Sequence, residues 1–246
     1  MILTLQWITL LSCTAVTVAR IPSALRKENR SLFAIFALMA LAVLLSIEAP
    51  YLAIDGALGG FNLANLALRL VIFGALMAVG YRIAKGFGTA WTHRLIIGPP
   101  GWVALGVCVA AVSVLFVLLD TSVSAVGMHQ EPGTAAHQQV LLEYYGAVGR
   151  LYPAYVVAAL LPSMFRTALG NFPVLIRIAA LLLSLGSVAI ILTLGFPFIP
   201  VAFSALMYIL NYTAILCFVA GLAMIWMTKL IGKRRPQRST PTVTKS

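Results

Sequence analysis

The chain has 246 residues, of which 61% are hydrophobic and only 9% are charged, and its mean hydropathy is +1.01. A soluble domain carries about a quarter charged residues, so this composition excludes a water-soluble globule and indicates a polytopic membrane protein. The formal net charge of +11 comes from basic residues that lie between apolar runs and at the C-terminal end. This distribution is typical of membrane loops and argues against nucleic-acid binding.

Seven apolar runs follow one another along the chain, and a transmembrane helix needs about 20 apolar residues. The second run is short for a complete crossing and the seventh is long. We therefore expect local thinning of the bilayer or tilting of the helix at these two runs. The pattern predicts an all-α fold, a polytopic membrane helix bundle of seven transmembrane helices that forms one domain, residues 1-228. The runs are 2–18, 32–47, 63–81, 102–119, 140–161, 174–194 and 201–227.

The basic residues between the runs predict the orientation of the helices. Lys and Arg occur in the first, third and fifth loops, and we assign Arg20 to the first of these. The second, fourth and sixth loops contain neither Lys nor Arg. Because loops rich in Lys and Arg stay in the cytoplasm, we predict that the N-terminus is outside and the C-terminus inside.

Residues 229-246 form a basic, polar tail that we expect to be cytoplasmic and disordered. In one interpretation, its charges bind anionic lipids of the inner leaflet. In the other, the tail is a stop-transfer anchor that only fixes the topology. The expected partners are therefore the lipid bilayer and, through the tail, inner-leaflet anionic lipids.

Polar residues inside the apolar runs are the candidate ligand-binding residues, because ionisable groups at membrane depth are costly and tend to have partners. On the third helix, Asn62, Asn65 and Arg69 follow i, i+3, i+7 spacing and share one face. On the fifth helix, Arg150 lies two turns from Glu143 on the same face. Both guanidiniums are thus predicted in the outer half of the bundle.

Two interpretations of these charges stay open. In the first, Arg69 and Arg150 form ion pairs that hold the bundle together. In the second, they form an outward-facing pocket for an anionic group, since Arg binds carboxylate or phosphate bidentately. The candidate ion-pair partners are Glu48, Asp55, Asp120 and Glu143, and the candidate ligand-binding residues are Asn62, Asn65, Arg69, Arg150, Tyr208 and Asn211.

The segment IDGALGGFNLANLALRL, residues 54–70, combines three glycines with polar residues in an otherwise apolar chain. Its spacing does not match a nucleotide-binding loop. Gly56, Gly59 and Gly60 instead predict a compact turn, and Asn62 is the expected N-cap of the third helix.

The sequence contains no motif of an enzyme or a cofactor site. Walker, GxGxxG, HExxH and GxSxG patterns do not occur, so we predict no catalytic residues, no enzyme activity and no cofactor. His129, Glu131 and His137 are close in sequence, but their spacing matches no known zinc site, and we predict no metal.

Two segments resemble an actinobacterial family of seven-transmembrane-helix proteins that are regarded as transporters. AIDGALGGFNLANLALRL, residues 53–70, is similar to the acidic-glycine turn and Asn-Leu-Ala helix start of that family. RTALGNFPVLIRIAALLLSLGSVAIILTLGF, residues 166–196, is similar to its sixth helix. Asp55, Asn62 and Arg177 match family positions. The resemblance concerns the membrane bundle only, without the family's usual cytosolic C-terminal region, and it implies a multi-pass protein of the bacterial plasma (inner) membrane.

The leading expectation for function is a small-molecule transporter, or a transporter-like protein, with a polar pocket in its outer half. The alternative is a receptor or accessory subunit that binds a ligand or a partner helix of another membrane protein without moving a substrate. Residues 70–79, which follow Arg69, are almost all apolar. This favours the alternative, because transport needs a site that can be reached from both sides of the membrane.

Overall fold

The computed structural model describes residues 2–26, 30–119, 136–198 and 204–234. Within these ranges the chain forms nine α-helices and one 3-10 helix, η1, and contains no β-strand. The predicted all-α class is thereby confirmed. The elements are α1 (Ile2–Leu25), α2 (Arg30–Leu45), α3 (Glu48–Ala57), α4 (Leu63–Phe87), α5 (Ala90–Ile97), α6 (Pro99–Leu118), α7 (Ala136–Leu169), α8 (Val174–Leu192), η1 (Thr193–Phe198) and α9 (Ser204–Arg234).

Six segments of the described chain are long and apolar enough to cross a membrane. Helix α2 has 16 residues and therefore rises only about 24 Å, less than the roughly 30 Å thickness of the hydrocarbon core. It is followed by α3 at an angle of 93°, and counting this bent pair as one crossing gives seven. The spans are Leu3–Leu25, Leu63–Gly86, Ala90–Leu118, Ala136–Leu169, Val174–Phe196 and Leu206–Thr228.

Two short helices, α3 and α5, occupy stretches that the hydropathy pattern assigns to loops. Helix α3 contains Gly56, so this glycine is helical and does not belong to the predicted turn. Helix α5 begins at a cap, because the side chain of Thr89 accepts a hydrogen bond from the backbone N–H of Thr92. Both helices include polar residues that lower the local hydropathy, and this is why a search for apolar runs overlooks them.

Helix α9 continues beyond the predicted boundary between the bundle and the tail. It runs to Arg234, so the boundary at residue 228 falls inside a helix. The remaining tail, 235–246, lies outside the described residues.

Six helices form a closed ring in the order α1, α2, α4, α7, α8 and α9, and α9 packs back against α1. Helices α5 and α6 pack outside this ring against α4 and α7. The contact between α8 and α9 is close because glycine is present on both sides: a Cβ at Gly186 would lie 3.1 Å from the carbonyl oxygen of Ala214, and one at Gly221 would lie 2.8 Å from Leu183. Small residues permit this approach, as is typical of helices in membranes.

Helices α1 and α9 run parallel, and their contacts define the two ends of the bundle. Near the start of both helices, Gln6 Nε2 donates a hydrogen bond of 2.9 Å to the hydroxyl of Tyr212. Near their C-terminal ends, the guanidinium of Arg20 lies 4.6 Å from the ring centroid of Trp226. We call these the Gln6 end and the Arg20 end. Because Arg20 is buried within α1, its assignment to a loop is wrong.

Candidate ligand-binding site

A buried carboxylate shapes the connection between α3 and α4 at the Gln6 end. Asp55 is completely buried, and its two oxygens accept hydrogen bonds from the backbone N–H groups of Asn62 at 3.0 Å and Ala64 at 2.9 Å. Gly59 and Gly60 have positive φ angles of 104° and 73°, as the tight turn requires. Asp55 therefore caps α4 from the preceding helix, where a negative charge also complements the helix dipole.

Asn62 occupies the N-cap position of α4, but its side chain makes no capping hydrogen bond. It adopts the left-handed conformation with φ 58°, and its Oδ1 accepts a hydrogen bond from the hydroxyl of Tyr51 in α3. One turn further along α4, Asn65 Oδ1 accepts a hydrogen bond of 3.0 Å from the hydroxyl of Tyr145 in α7. The two asparagines thus join three helices, and we call Tyr51, Asp55, Asn62, Asn65 and Tyr145 the polar network.

Arg69 lies one turn after Asn65 and packs against α7. Its guanidinium is 5.0 Å from the ring centroid of Tyr145, within the range of a cation–π contact. It also covers Gly149, where a Cβ would lie 2.8 Å from the guanidinium carbon and would overlap Nη1. The glycine is therefore required for the position that Arg69 adopts.

Arg150 follows Gly149 on α7 and contributes a second guanidinium. It lies 5.6 Å from the ring centroid of Phe196 in η1, and a Cβ at Gly146 would lie 3.2 Å from its Nη2. The positive charge of Arg69 acts on Arg150. Both side chains are half-buried, so two cations that repel each other share the space between α4, α7 and η1.

Carboxylates do not surround these cations in the described part of the chain. Glu48 and Glu143 are exposed, Asp55 binds backbone N–H groups at the start of α4, and Asp120 lies outside the described residues. The described groups that contact or act on the two guanidiniums are Tyr145, Phe196 and the neighbouring Arg.

Helix α9 contributes differently from the predicted stripe. Asn211 is exposed, so it does not join the other candidate residues. Tyr208 is half-buried and packs against the apolar core. The buried polar residue is instead Tyr212, whose hydroxyl is 2.9 Å from Gln6 Nε2 and 2.9 Å from the hydroxyl of Ser46. A glutamine in the otherwise apolar first run was the sequence signal for this contact.

The described residues contain no group of three or more His, Cys, Asp or Glu side chains that could hold a metal ion. Of the three residues His129, Glu131 and His137, the first two lie outside the described residues. The three cysteines are free thiols.

Comparison with known proteins gives no match to any protein-family model, curated protein or solved structure. The resemblance to the actinobacterial family stays a prediction, and function must be inferred from the site itself.

Proposed function

We propose that this chain is a multi-pass plasma-membrane protein that binds a small anionic solute between α4, α7 and η1, as the first step of its transport. The observation that carries the proposal is the pair of Arg69 and Arg150, two half-buried guanidiniums near each other that have no carboxylate beside them among the described residues. Their described neighbours are aromatic residues, and the hydroxyl of Tyr145 also accepts a hydrogen bond from Arg69.

The electrostatics of the pair favour an anion. Burying a charge without a partner costs several kcal/mol, and the mutual repulsion of two cations adds to that cost. An oxyanion between the two guanidiniums would offset both the cost of burial and the repulsion. Guanidinium is suited to this role because its planar set of N–H donors matches the oxygens of a carboxylate or a phosphate.

The surroundings of the pair favour a compact ligand. The ring of Tyr145 covers Arg69 at 5.0 Å and holds its guanidinium plane, so a ligand would bind at the N–H edges. Gly146 and Gly149 lie on one face of α7 and keep both arginines close to the backbone. Asn62 and Asn65 already accept hydrogen bonds from tyrosines. We therefore assign them to the support of the site, and we assign ligand binding to the arginines.

A broken helix near the site supports transport. The 3-10 helix η1 ends the continuous span Val174–Phe196, and its Phe196 contacts Arg150. The bent pair α2–α3 delivers Tyr51 to the start of α4. Discontinuous helices beside a buried polar site are typical of secondary transporters.

The parallel course of α1 and α9 supports seven crossings. Two helices at opposite ends of a chain point in the same direction only when the number of crossings is odd, and counting α2–α3 as one crossing makes it seven. Together with the basic loops, this favours the N-terminus outside and the C-terminus inside. The candidate site at the Gln6 end would then face the exterior.

The second candidate function is a receptor or accessory subunit. The interior below the site is apolar: Phe73, Leu76 and Val79 of α4 are all buried in the core. This face of α4 provides no polar side chain that would lead a ligand toward the Arg20 end, so a ligand could be bound without being moved.

Binding is tested on the purified chain in a non-ionic detergent, by calorimetric titration with phosphate, sulfate and succinate. We expect Arg69→Gln and Arg150→Gln each to weaken binding at least about tenfold, the size of a lost charge-assisted contact. Arg177→Gln is the control, because the Nε of Arg177 donates to the carbonyl of Ala168 near the α7–α8 connection. Equal binding by all four proteins would refute the anion site.

Transport is tested with the anion that binds best, by its uptake into proteoliposomes. Flux that Arg69→Gln abolishes and Arg177→Gln preserves would support a transporter. Binding without flux would favour the receptor.

A further inference from the structure

A second buried cation lies at the opposite end of the bundle. Arg20 in α1 is 1% exposed, and its Nε and Nη2 are buried without a hydrogen-bond partner among the described residues. Unsatisfied buried donors are rare in folded proteins, and a charged one is especially costly. This arrangement points to a group that supplies acceptors to Arg20.

The surroundings of Arg20 determine which side of the guanidinium such a group would contact. The guanidinium carbon lies 4.6 Å above the ring of Trp226 in α9, which covers one face of the plane and leaves the N–H groups at its edge. The positive charge of Arg82 in α4 also acts on Arg20. Arg20 of α1 and Trp226 of α9 therefore lie in direct contact, and the charge of Arg82 adds to the positive potential at Arg20.

We propose that Arg20, held against Trp226, forms a second anion site that binds a phosphate group. The guanidinium edge offers parallel N–H donors, which suit a tetrahedral oxyanion with several acceptor oxygens. Trp226 is half-buried near the end of the bundle, and Trp is enriched where membrane proteins meet the headgroup region. The phosphate could belong to a lipid headgroup or be free in solution.

The site is separate from the pair of Arg69 and Arg150. Arg82 follows Arg69 by 13 residues on the same helix, which corresponds to about 20 Å along its axis. Buried Phe73, Leu76 and Val79 lie between them in sequence. The second site therefore does not depend on the function proposed for the first.

Glu28 is the one internal alternative to a ligand that the sequence offers close to α1, three residues after its end. It lies outside the described residues. The experiment must therefore distinguish a phosphate bound from outside from a carboxylate of the same chain.

The test uses Trp226 as a reporter, because its ring touches the proposed site. Trp7, Trp91 and Trp102 are 44%, 59% and 57% exposed, so all three can be replaced by Phe to leave a single tryptophan. The purified protein is titrated in non-ionic detergent with inorganic phosphate and, separately, with short-chain phosphatidylglycerol. A saturable change in fluorescence with both probes indicates a general phosphate site, and a change with the lipid alone indicates a headgroup site.

We expect Arg20→Met to abolish the fluorescence change and Arg20→Lys to weaken binding about tenfold, since Lys keeps the charge but loses the planar set of donors. Arg26→Gln is the matched control, because Arg26 is exposed one residue after α1. Arg69→Gln should have no effect.

Thermal unfolding of Arg20→Met and of a further variant, Glu28→Gln, distinguishes a bound phosphate from a carboxylate of the same chain. Without phosphate or lipid, Arg20→Met should raise the unfolding temperature, because it removes an uncompensated buried charge, and Glu28→Gln should leave it unchanged. The proposal is overturned if neither probe changes the fluorescence, or if Arg20→Met and Glu28→Gln lower the unfolding temperature equally, since Glu28 would then be the partner of Arg20.

Discussion

Both ends of the bundle place an arginine against an aromatic ring, but Arg69 at the Gln6 end is half-buried beside a polar network, whereas Arg20 at the other end is fully buried. At the Gln6 end, Arg69 follows a network in which Asp55, Asn62 and Asn65 all have hydrogen-bond partners. At the Arg20 end, the described contact of the guanidinium is the ring of Trp226. An aromatic ring stabilises the face of a guanidinium and leaves its N–H edge unsatisfied. A buried arginine therefore does not always have hydrogen-bond acceptors for its N–H groups, and a ligand can bind at the edge where these acceptors are missing.

The largest expected effect comes from removing the carboxylate that organises the Gln6 end. Asp55→Ala leaves two backbone N–H groups of α4 without an acceptor, and we expect it to lower the free energy of unfolding by about 3 kcal/mol, from two charge-assisted hydrogen bonds. It should also weaken anion binding by Arg69. Unfolding in mixed micelles and calorimetry measure the two effects. The Trp226 signal should not change; if it does, the two ends are coupled.

The next effect concerns the space that glycine provides for Arg69. Gly149→Ala places a Cβ against the guanidinium, and we expect it to cost about 1–3 kcal/mol and to abolish anion binding. Gly106→Ala in α6 is the control, because a Cβ there meets nothing within 4 Å; it should stabilise the helix slightly. Undiminished anion binding by Gly149→Ala would show that Arg69 does not need its observed position.

A smaller change separates the polar network from the aromatic plane. Tyr145→Phe removes the hydroxyl that donates to Asn65 and accepts from Arg69, but it keeps the ring next to Arg69. We expect a loss of about 1 kcal/mol of stability and a smaller loss of anion binding than in Tyr145→Leu, which removes the ring as well. Equal binding by both variants would mean that the ring does not orient Arg69.

An effect on stability similar in size to that of Tyr145→Phe, but with none on binding, is expected away from both cation sites. Tyr212→Phe removes the hydroxyl that contacts Gln6 and Ser46, and we expect a cost of about 0.5–1.5 kcal/mol with no effect on either ligand. Tyr144→Phe is the control, since Tyr144 is 60% exposed and should be neutral. A change in anion binding by Tyr212→Phe would place α9 in the first site.

The sequence predicts part of the candidate site and misses the rest for identifiable reasons. The i, i+3, i+7 spacing correctly places Asn62 and Asn65 on a buried face of α4. The same reasoning fails for Asn211, because helical spacing defines a face without showing whether that face is directed to lipid or to protein. Tyr212 and Arg20 were missed because one resembles an interfacial aromatic residue and the other a loop cation.

By itself, the sequence determined that the chain is an all-α membrane protein. Backbone N–H and C=O groups in lipid must form hydrogen bonds within the protein, and a long apolar run meets this requirement by forming a helix. Tertiary structure alone decided the bend between α2 and α3, the capping of α4 by Asp55 and the burial of Arg20 against Trp226. The contact of Arg20 with Trp226 joins helices at opposite ends of the chain, whereas the bend and the cap join neighbouring helices. In each case the geometry is set by packing rather than by hydropathy.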